Sequence, residues 1–221
     1  MAAEDDRRIR LGAAPVVLNT IVHFSMPGWT EEEAPRRDLR IWRDLEGDVL
    51  SLGAPAGSLG LKPLANPVRL RQWCREVAET RGAGLIEVRA NSGTLGETAS
   101  LIYKRLEIPA YIFTGMLFLP RDGFFYVWTV VSRERGTTGI REAAVTSQLM
   151  NAGQLTVEEY KRSWAQDPYD PEYRGVDRTA LRFVSDNEAY DEQFPHHPLS
   201  KVRRILAALP TAVRIEAEPT R

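Results

Sequence analysis

From Ala110 to Val131 the chain is almost continuously apolar, broken once at Pro120-Arg121-Asp122-Gly123. Pro and Gly around Asp suit a tight turn, and the arms Ala110–Leu119 and Phe124–Val131 are rich in aromatic and β-branched residues, so the stretch predicts a β-hairpin. In the first arm Tyr111, Phe113, Leu117 and Leu119 alternate with Ile112, Thr114, Met116 and Phe118. A strand with two apolar faces has to be covered on both, which puts this hairpin at the centre of a sheet.

Shorter β-type patterns occupy Val16–Met26, ending at Pro27-Gly28-Trp29, then Leu39–Trp42 and Asp48–Leu52 around Glu46-Gly47, then Leu85–Val88 and Ala99–Leu106. The clearest helix follows Asn66-Pro67, a good cap and a residue tolerated in the first helical turn. Its apolar stripe is Leu70, Trp73, Cys74 and Val77, and Gly82 closes it. A second helix is expected over 140–150. Thr156-x-x-Glu159 is a capping box opening a third, and Ser185-x-x-Glu188 suggests a short fourth. His197 precedes Pro198 as the cap of a last helix, with Leu199, Val202, Leu206 and Leu209 inward and Pro210 as its stop. These elements predict an α+β fold, an antiparallel sheet covered by the helices at 67–81 and 140–150 with a helical C-terminal extension. The expected division is a loose tail at 1–15, a core domain at 16–153 and an extension packed on it at 154–221.

Composition narrows the function classes. The 221 residues carry a formal net charge of −1, which lacks the electrostatic footprint of a general nucleic-acid binder. Cys74 is the only cysteine, so there is no intramolecular disulfide and no cysteine-cluster zinc site; on an apolar helix stripe it reads as a buried thiol. The longest apolar run, Ile108–Leu119, is interrupted by Pro109, Thr114 and Gly115, too short for a membrane span, and the N-terminal stretch lacks the layout of a secretory signal. The expectation is a cytoplasmic protein. Charge is unevenly placed: 166–194 holds eight acids against three Arg, whereas 60–90 holds Lys62 and five Arg against three Glu. These segments either dock on each other or present one face to a partner.

Candidate chemistry is sparse. Arg135-Gly136-Thr137-Thr138-Gly139-Ile140-Arg141 joins a strand to a helix, and a Gly-rich turn there offers free N–H groups to a phosphate, sulfate or carboxylate, with Arg135, Arg141 and the Thr hydroxyls close by. The blander reading is a strand-to-helix turn capped by Thr138. The spacing is neither a Walker loop nor a dinucleotide fingerprint. Adjacent His196 and His197 diverge and do not chelate, and Asp167–Asp177 lacks the calcium-loop spacing, reading instead as a loop pinned by Tyr169 and Tyr173. No catalytic residue, metal set or cofactor is assigned. Asp186, Glu188, Asp191 and Glu192 form the candidate partner-binding surface.

The order of elements over residues 16–150, a strand ending in Pro27-Gly28-Trp29, short strands, the helix at 67–81, antiparallel strands with the aromatic hairpin and a closing helix, resembles the Mog1/PsbP-like α/β/α sandwich. The resemblance implies a non-catalytic module that binds a protein or assists assembly, and transfers no catalytic residue. The leading expectation is therefore a protein-binding or accessory module. The alternative is an enzyme or binder of a small anionic ligand at Gly136–Gly139.

Overall fold

The computed structural model describes residues 22–36, 38–55, 64, 66–121 and 124–216. Its centre is a seven-stranded antiparallel sheet in the order β2-β3-β4-β8-β7-β6-β5. The strands are β2 (Trp29–Glu32), β3 (Leu39–Asp44), β4 (Val49–Gly53), β5 (Gly84–Gly93), β6 (Gly96–Glu107), β7 (Ala110–Arg121) and β8 (Phe124–Arg133). The aromatic hairpin is β7–β8, in the middle of the sheet as its two apolar faces require. Of the predicted turn, Asp122 and Gly123 lie outside the described residues. Tyr111, Phe113, Leu117 and Leu119 join one core, and Met116 and Phe118 join the other.

Helix α1 (Pro67–Glu79) covers the second of these cores, with Leu70, Cys74 and Ala78 buried. The Asn66 carboxamide accepts the Val68 and Arg69 N–H groups, so the expected cap is the observed one. Cys74 is fully buried, and burial pushes its thiol up to about 12, the state of an inert packing group.

The other face is covered by α4 (Pro198–Ala212), not by α2 (Ile140–Asn151) as the sequence suggests. Val202 and Leu206 of α4 approach Gly115 of β7 so closely that an added Cβ would lie 2.6 Å from Val202 Cγ1 and 2.8 Å from Leu206 Cδ1. A glycine at that point lets the helix rest on the strand backbone. The periodicity of α2 did not reveal its place: its buried residues, Arg141 and Val145, face the C-terminal segment rather than the sheet.

The remaining elements tie the C-terminal segment down. Strand β1 (Val22–Phe24) pairs with β11 (Val213–Ile215), and Phe24 packs on Trp42 and Trp128 with ring centroids 4.8 and 5.4 Å away. Residues 16–21 of the first predicted strand lie outside the described residues. Helix α3 (Val157–Ser163) has the expected Thr156–Glu159 capping box, and β9 (Ala165–Gln166) pairs with β10 (Arg182–Phe183). Two short 3-10 helices follow, Val184–Asp186 and Glu188–Tyr190, so Ser185 lies inside a turn, while the Asn187 side chain takes the capping bond from Ala189. Pro210 does not stop α4. It sits within the helix, which continues to Ala212. In the described residues no helix is long and apolar enough to cross a membrane.

Candidate functional site

The basic and acidic segments dock on each other. Arg75 of α1 grips Asp167 through two bonds of 3.1 and 2.8 Å, the fork geometry that suits a guanidinium and a carboxylate. Arg71 lies over Tyr169 and Arg75 over Tyr173, while the Tyr169 hydroxyl accepts the Val88 N–H at 2.8 Å. The Asp167–Asp177 loop is thus pinned by the two tyrosines. Arg89 pairs with Glu188. Much of the charge contrast between 60–90 and 166–194 is used inside the molecule.

What remains of the acidic surface lines a groove. It runs between α4 and the β5–β6 hairpin and encloses about 800 Å³. Buried Ile102, Leu117 and Leu206 form its floor, Leu95, Pro195 and Ala207 supply more accessible apolar lining, and Glu87, Glu188, Asp191 and Glu192 with Arg89, Arg203 and Arg204 supply charge. Asp191 is committed to Arg203, Arg141 and Ser200. Asp186 does not reach the groove at all. It is fully buried, because its carboxylate accepts Lys104 Nζ at 2.6 Å and the Phe183 N–H at 2.7 Å, so it cannot touch a partner. Of the four acids marked in the sequence, Glu188 and Glu192 are exposed, Glu188 being the one paired with Arg89.

The Gly-Thr turn leads elsewhere than its composition suggests. Gly136 and Gly139 both take positive φ, and Gly139, not Thr138, is the residue before α2. The Thr138 hydroxyl donates to the Pro109 carbonyl at 2.6 Å. Thr137 is exposed. Arg135 pairs with buried Asp48 at 2.8 Å. Arg141 is fully buried and spends four N–H donors within the chain: it donates to Ser185 O, Ser200 Oγ, Asn187 O and Asp191 Oδ1. The Gly139 N–H donates to Glu134 Oε1 at 3.3 Å. The positive end of α2 therefore already holds a carboxylate of the chain itself, and neither arginine turns a free guanidinium toward the turn.

Around that turn the fold gathers ionisable groups that the sequence keeps far apart. Glu134, at the end of β8, is buried and accepts the Tyr111 N–H at 3.1 Å as well as that of Gly139. His197 Nε2 lies 3.4 Å from Glu134 Oε1. Lys104 of β6 is fully buried, with its Nζ 3.1 Å from the Phe183 ring centroid, and burial lowers its pKa against the opposing pull of Asp186. Glu142, in the first turn of α2, has both carboxyl oxygens buried without a hydrogen-bond partner among the described residues. Burial, partly opposed by Lys104, raises its pKa. Burial also holds the Tyr111 phenol up at about 12. In the sequence Lys104 sits next to Arg105 near the end of a strand that also holds Glu97 and Glu107, so nothing there marks the cluster.

Glu142 gives a pH signature. Its folded value lies above the 4.5 of a free glutamate, so just above pH 4.5 the folded chain binds more protons than the unfolded one. The stability it contributes is complete below pH 4.5 and is lost as pH rises through the folded value. Glu142→Gln is expected to lose less melting temperature than the wild type between pH 4 and pH 8. Parallel curves across that range would contradict the assignment.

No family model matches the chain, and no curated protein matches it. Solved structures do. The Ran-binding protein Mog1p of Saccharomyces cerevisiae aligns at 7% identity with a TM-score of 0.39, covering 62% of this chain and 80% of that one. A Mog1 point mutant aligns at 8% identity with a TM-score of 0.41, covering 86% and 87%. LpqN of Mycobacterium tuberculosis, described as involved in cell envelope biogenesis, aligns at 14% identity with a TM-score of 0.29, covering 62% and 80%. The first two give a weak, fold-level likeness to Mog1, the family that the order of elements resembles.

Proposed function

We propose that this protein is a non-catalytic, protein-binding accessory module of the cytoplasm, and that its partner docks in the groove between α4 and the β5–β6 hairpin. The groove itself carries this reading: about 800 Å³, with Leu95, Pro195 and Ala207 among its accessible apolar lining and Glu188 and Glu192 at its rim beside Arg89 and Arg204. Apolar surface gives a docked segment its affinity, and charge at the rim selects the partner and steers it. The occupant that fits is a segment of a partner protein with apolar side chains along one side and basic residues beside them. The anion-binding alternative has no comparable support, since the turn at Gly136–Gly139 faces carboxylates.

A photo-crosslinking residue at Ala207, exposed on the groove side of α4, tests the proposal in cells. It is expected to capture a protein partner, whereas the same residue at Leu45, 97% exposed and outside the groove, captures none. Glu188→Lys with Glu192→Lys is expected to reduce the captured yield about tenfold by reversing the rim charge. Equal capture at Ala207 and Leu45, or a yield indifferent to the charge reversal, would overturn the reading.

A further inference from the structure

A cavity of about 440 Å³ opens among α2, α3 and the 165–183 segment. This volume falls in the usual range for small-molecule sites, roughly 300–1,000 Å³. Its walls are aromatic: the Tyr160 and Trp164 ring centroids are 5.1 Å apart, and Trp164 stacks on Phe183 at 6.4 Å. Tyr160 is exposed at the mouth, whereas Tyr111, at 8% exposure, forms the inner wall. The Tyr111 hydroxyl makes no hydrogen bond among the described residues, yet it is not cut off from solvent, so it opens into the cavity that its ring lines. Burial holds its pKa up at about 12, which leaves the oxygen protonated and able to donate at neutral pH. A phenol so placed lacks an acceptor unless something outside the chain supplies one. Lys161 and Arg178 stand exposed at the mouth. Arg178 Nη2 donates to the Tyr160 and Lys161 carbonyls, which holds the guanidinium beside α3 and leaves its Nε and Nη1 without partners among the described residues. The Lys161 ammonium has none there either. Glu142 also lines the cavity, but both its carboxyl oxygens are buried out of reach of a ligand.

We propose that this cavity binds a small aromatic acid, a ring that carries a carboxylate at one end and a hydroxyl or carbonyl oxygen at the other. The ring lies against Tyr160, Trp164 and Phe183, the inner oxygen accepts the Tyr111 O–H, and the carboxylate meets Lys161 and Arg178. Charge fixes this orientation. Carboxyl groups of Glu142, Glu134, Asp186 and Asp177 all bear on the Tyr111 phenol, so a further anion at that depth is repelled, while the mouth offers two cations. The hydrogen bonds argue against a metal ion nearby, although Glu134, Glu142 and His197 bring ligand atoms within 4.8 Å of one another. His197 Nδ1 accepts the Leu199 N–H at 3.2 Å, which leaves the ring proton on Nε2, and both Glu134 oxygens already accept backbone N–H groups. The proposal does not depend on the protein-binding reading, because this cavity and the groove share no lining residue.

Titration calorimetry on the full chain with three probes tests the assignment: para-hydroxyphenylacetate, phenylacetate, which lacks the inner hydroxyl, and tyrosol, which has an alcohol in place of the carboxylate. Phenylacetate is expected to bind about fivefold weaker than the hydroxylated acid, the range of one neutral hydrogen bond. Tyrosol is expected to bind about fivefold weaker as well, the upper range of an exposed ion pair. Tyr111→Phe is expected to erase the first difference and to leave the melting temperature unchanged, because the hydroxyl it removes bonds nothing among the described residues. Lys161→Glu, which offsets the charge of Arg178 at an exposed position, is expected to erase the second difference and spare the first. Melting curves confirm that each variant is folded. No binding of para-hydroxyphenylacetate at millimolar concentration, or the absence of either difference in the wild type, would overturn the proposal. So would a hydroxyl preference that survives Tyr111→Phe, or a carboxylate preference that survives Lys161→Glu.

Discussion

Replacing Lys104 with methionine is expected to destabilise the protein by about 3–5 kcal/mol, the cost of leaving a buried carboxylate without its cation. Lys104 and Asp186 are both fully buried and joined by a 2.6 Å bond. The ammonium leaves with the substitution, whereas Asp186 still has to sit in the interior with only the Phe183 N–H as donor. The paired change Lys104→Met with Asp186→Asn removes the uncompensated charge and keeps an acceptor for that N–H. It is expected to recover most of the loss, because an ion pair replaced on both sides is close to neutral. Urea denaturation measures both. A loss under about 1 kcal/mol for the single variant would mean that the pair does not bear on folding. Lys104 lies in β6 and Asp186 in the C-terminal segment, so the bond also couples the two. We therefore expect one unfolding transition rather than separate melting of residues 154–216.

How far the sequence disclosed this arrangement follows from the range of each interaction. The aromatic hairpin, the Asn66 cap, the Thr156–Glu159 box and the His197 cap were legible because each depends on residues a few positions apart, and local pattern fixes them. The place of α2 was not, because its buried face includes an arginine. Arg141 reads as solvent-facing in any hydrophobic periodicity, yet it is the group that α2 turns inward. For the same reason Asp186 looked like surface acid and Arg141 like an anion receptor. A charge is assigned to the outside until its partner is known, and these partners are 82 and 50 residues away. The polar cluster around Glu142 was hidden twice over: its members come from β6, β8, α2 and the cap of α4, and nothing in their spacing joins them. Glu188 and Glu192 are exposed, and Glu188 pairs with Arg89 of β5.

Arg141 supplies the sharpest contrast between a residue that serves the fold and one that serves a ligand. Its Nε donates to Ser185 O at 2.7 Å, Nη1 to Ser200 Oγ at 2.9 Å, and Nη2 to both Asn187 O and Asp191 Oδ1 at 2.9 Å. One planar group thus joins α2, the 3-10 turns and α4. Arg141→Ala is expected to cost about 1–3 kcal/mol by stranding two buried carbonyls, while Asp191 keeps Arg203 and Ser200. Arg141→Lys should recover little of this, because an ammonium on a flexible stem cannot span the acceptors that a rigid fork reaches together. A residue held in reserve for an external phosphate behaves in the opposite way. Its removal leaves stability unchanged or raises it, since Arg203 is close enough to repel it, and it abolishes a phosphate-dependent rise in melting temperature. Thermal denaturation of wild type, Arg141→Ala and Arg141→Lys, with and without millimolar phosphate, separates these behaviours. Loss of stability without phosphate dependence is the outcome expected of a buried guanidinium that spends four of its donors inside the chain.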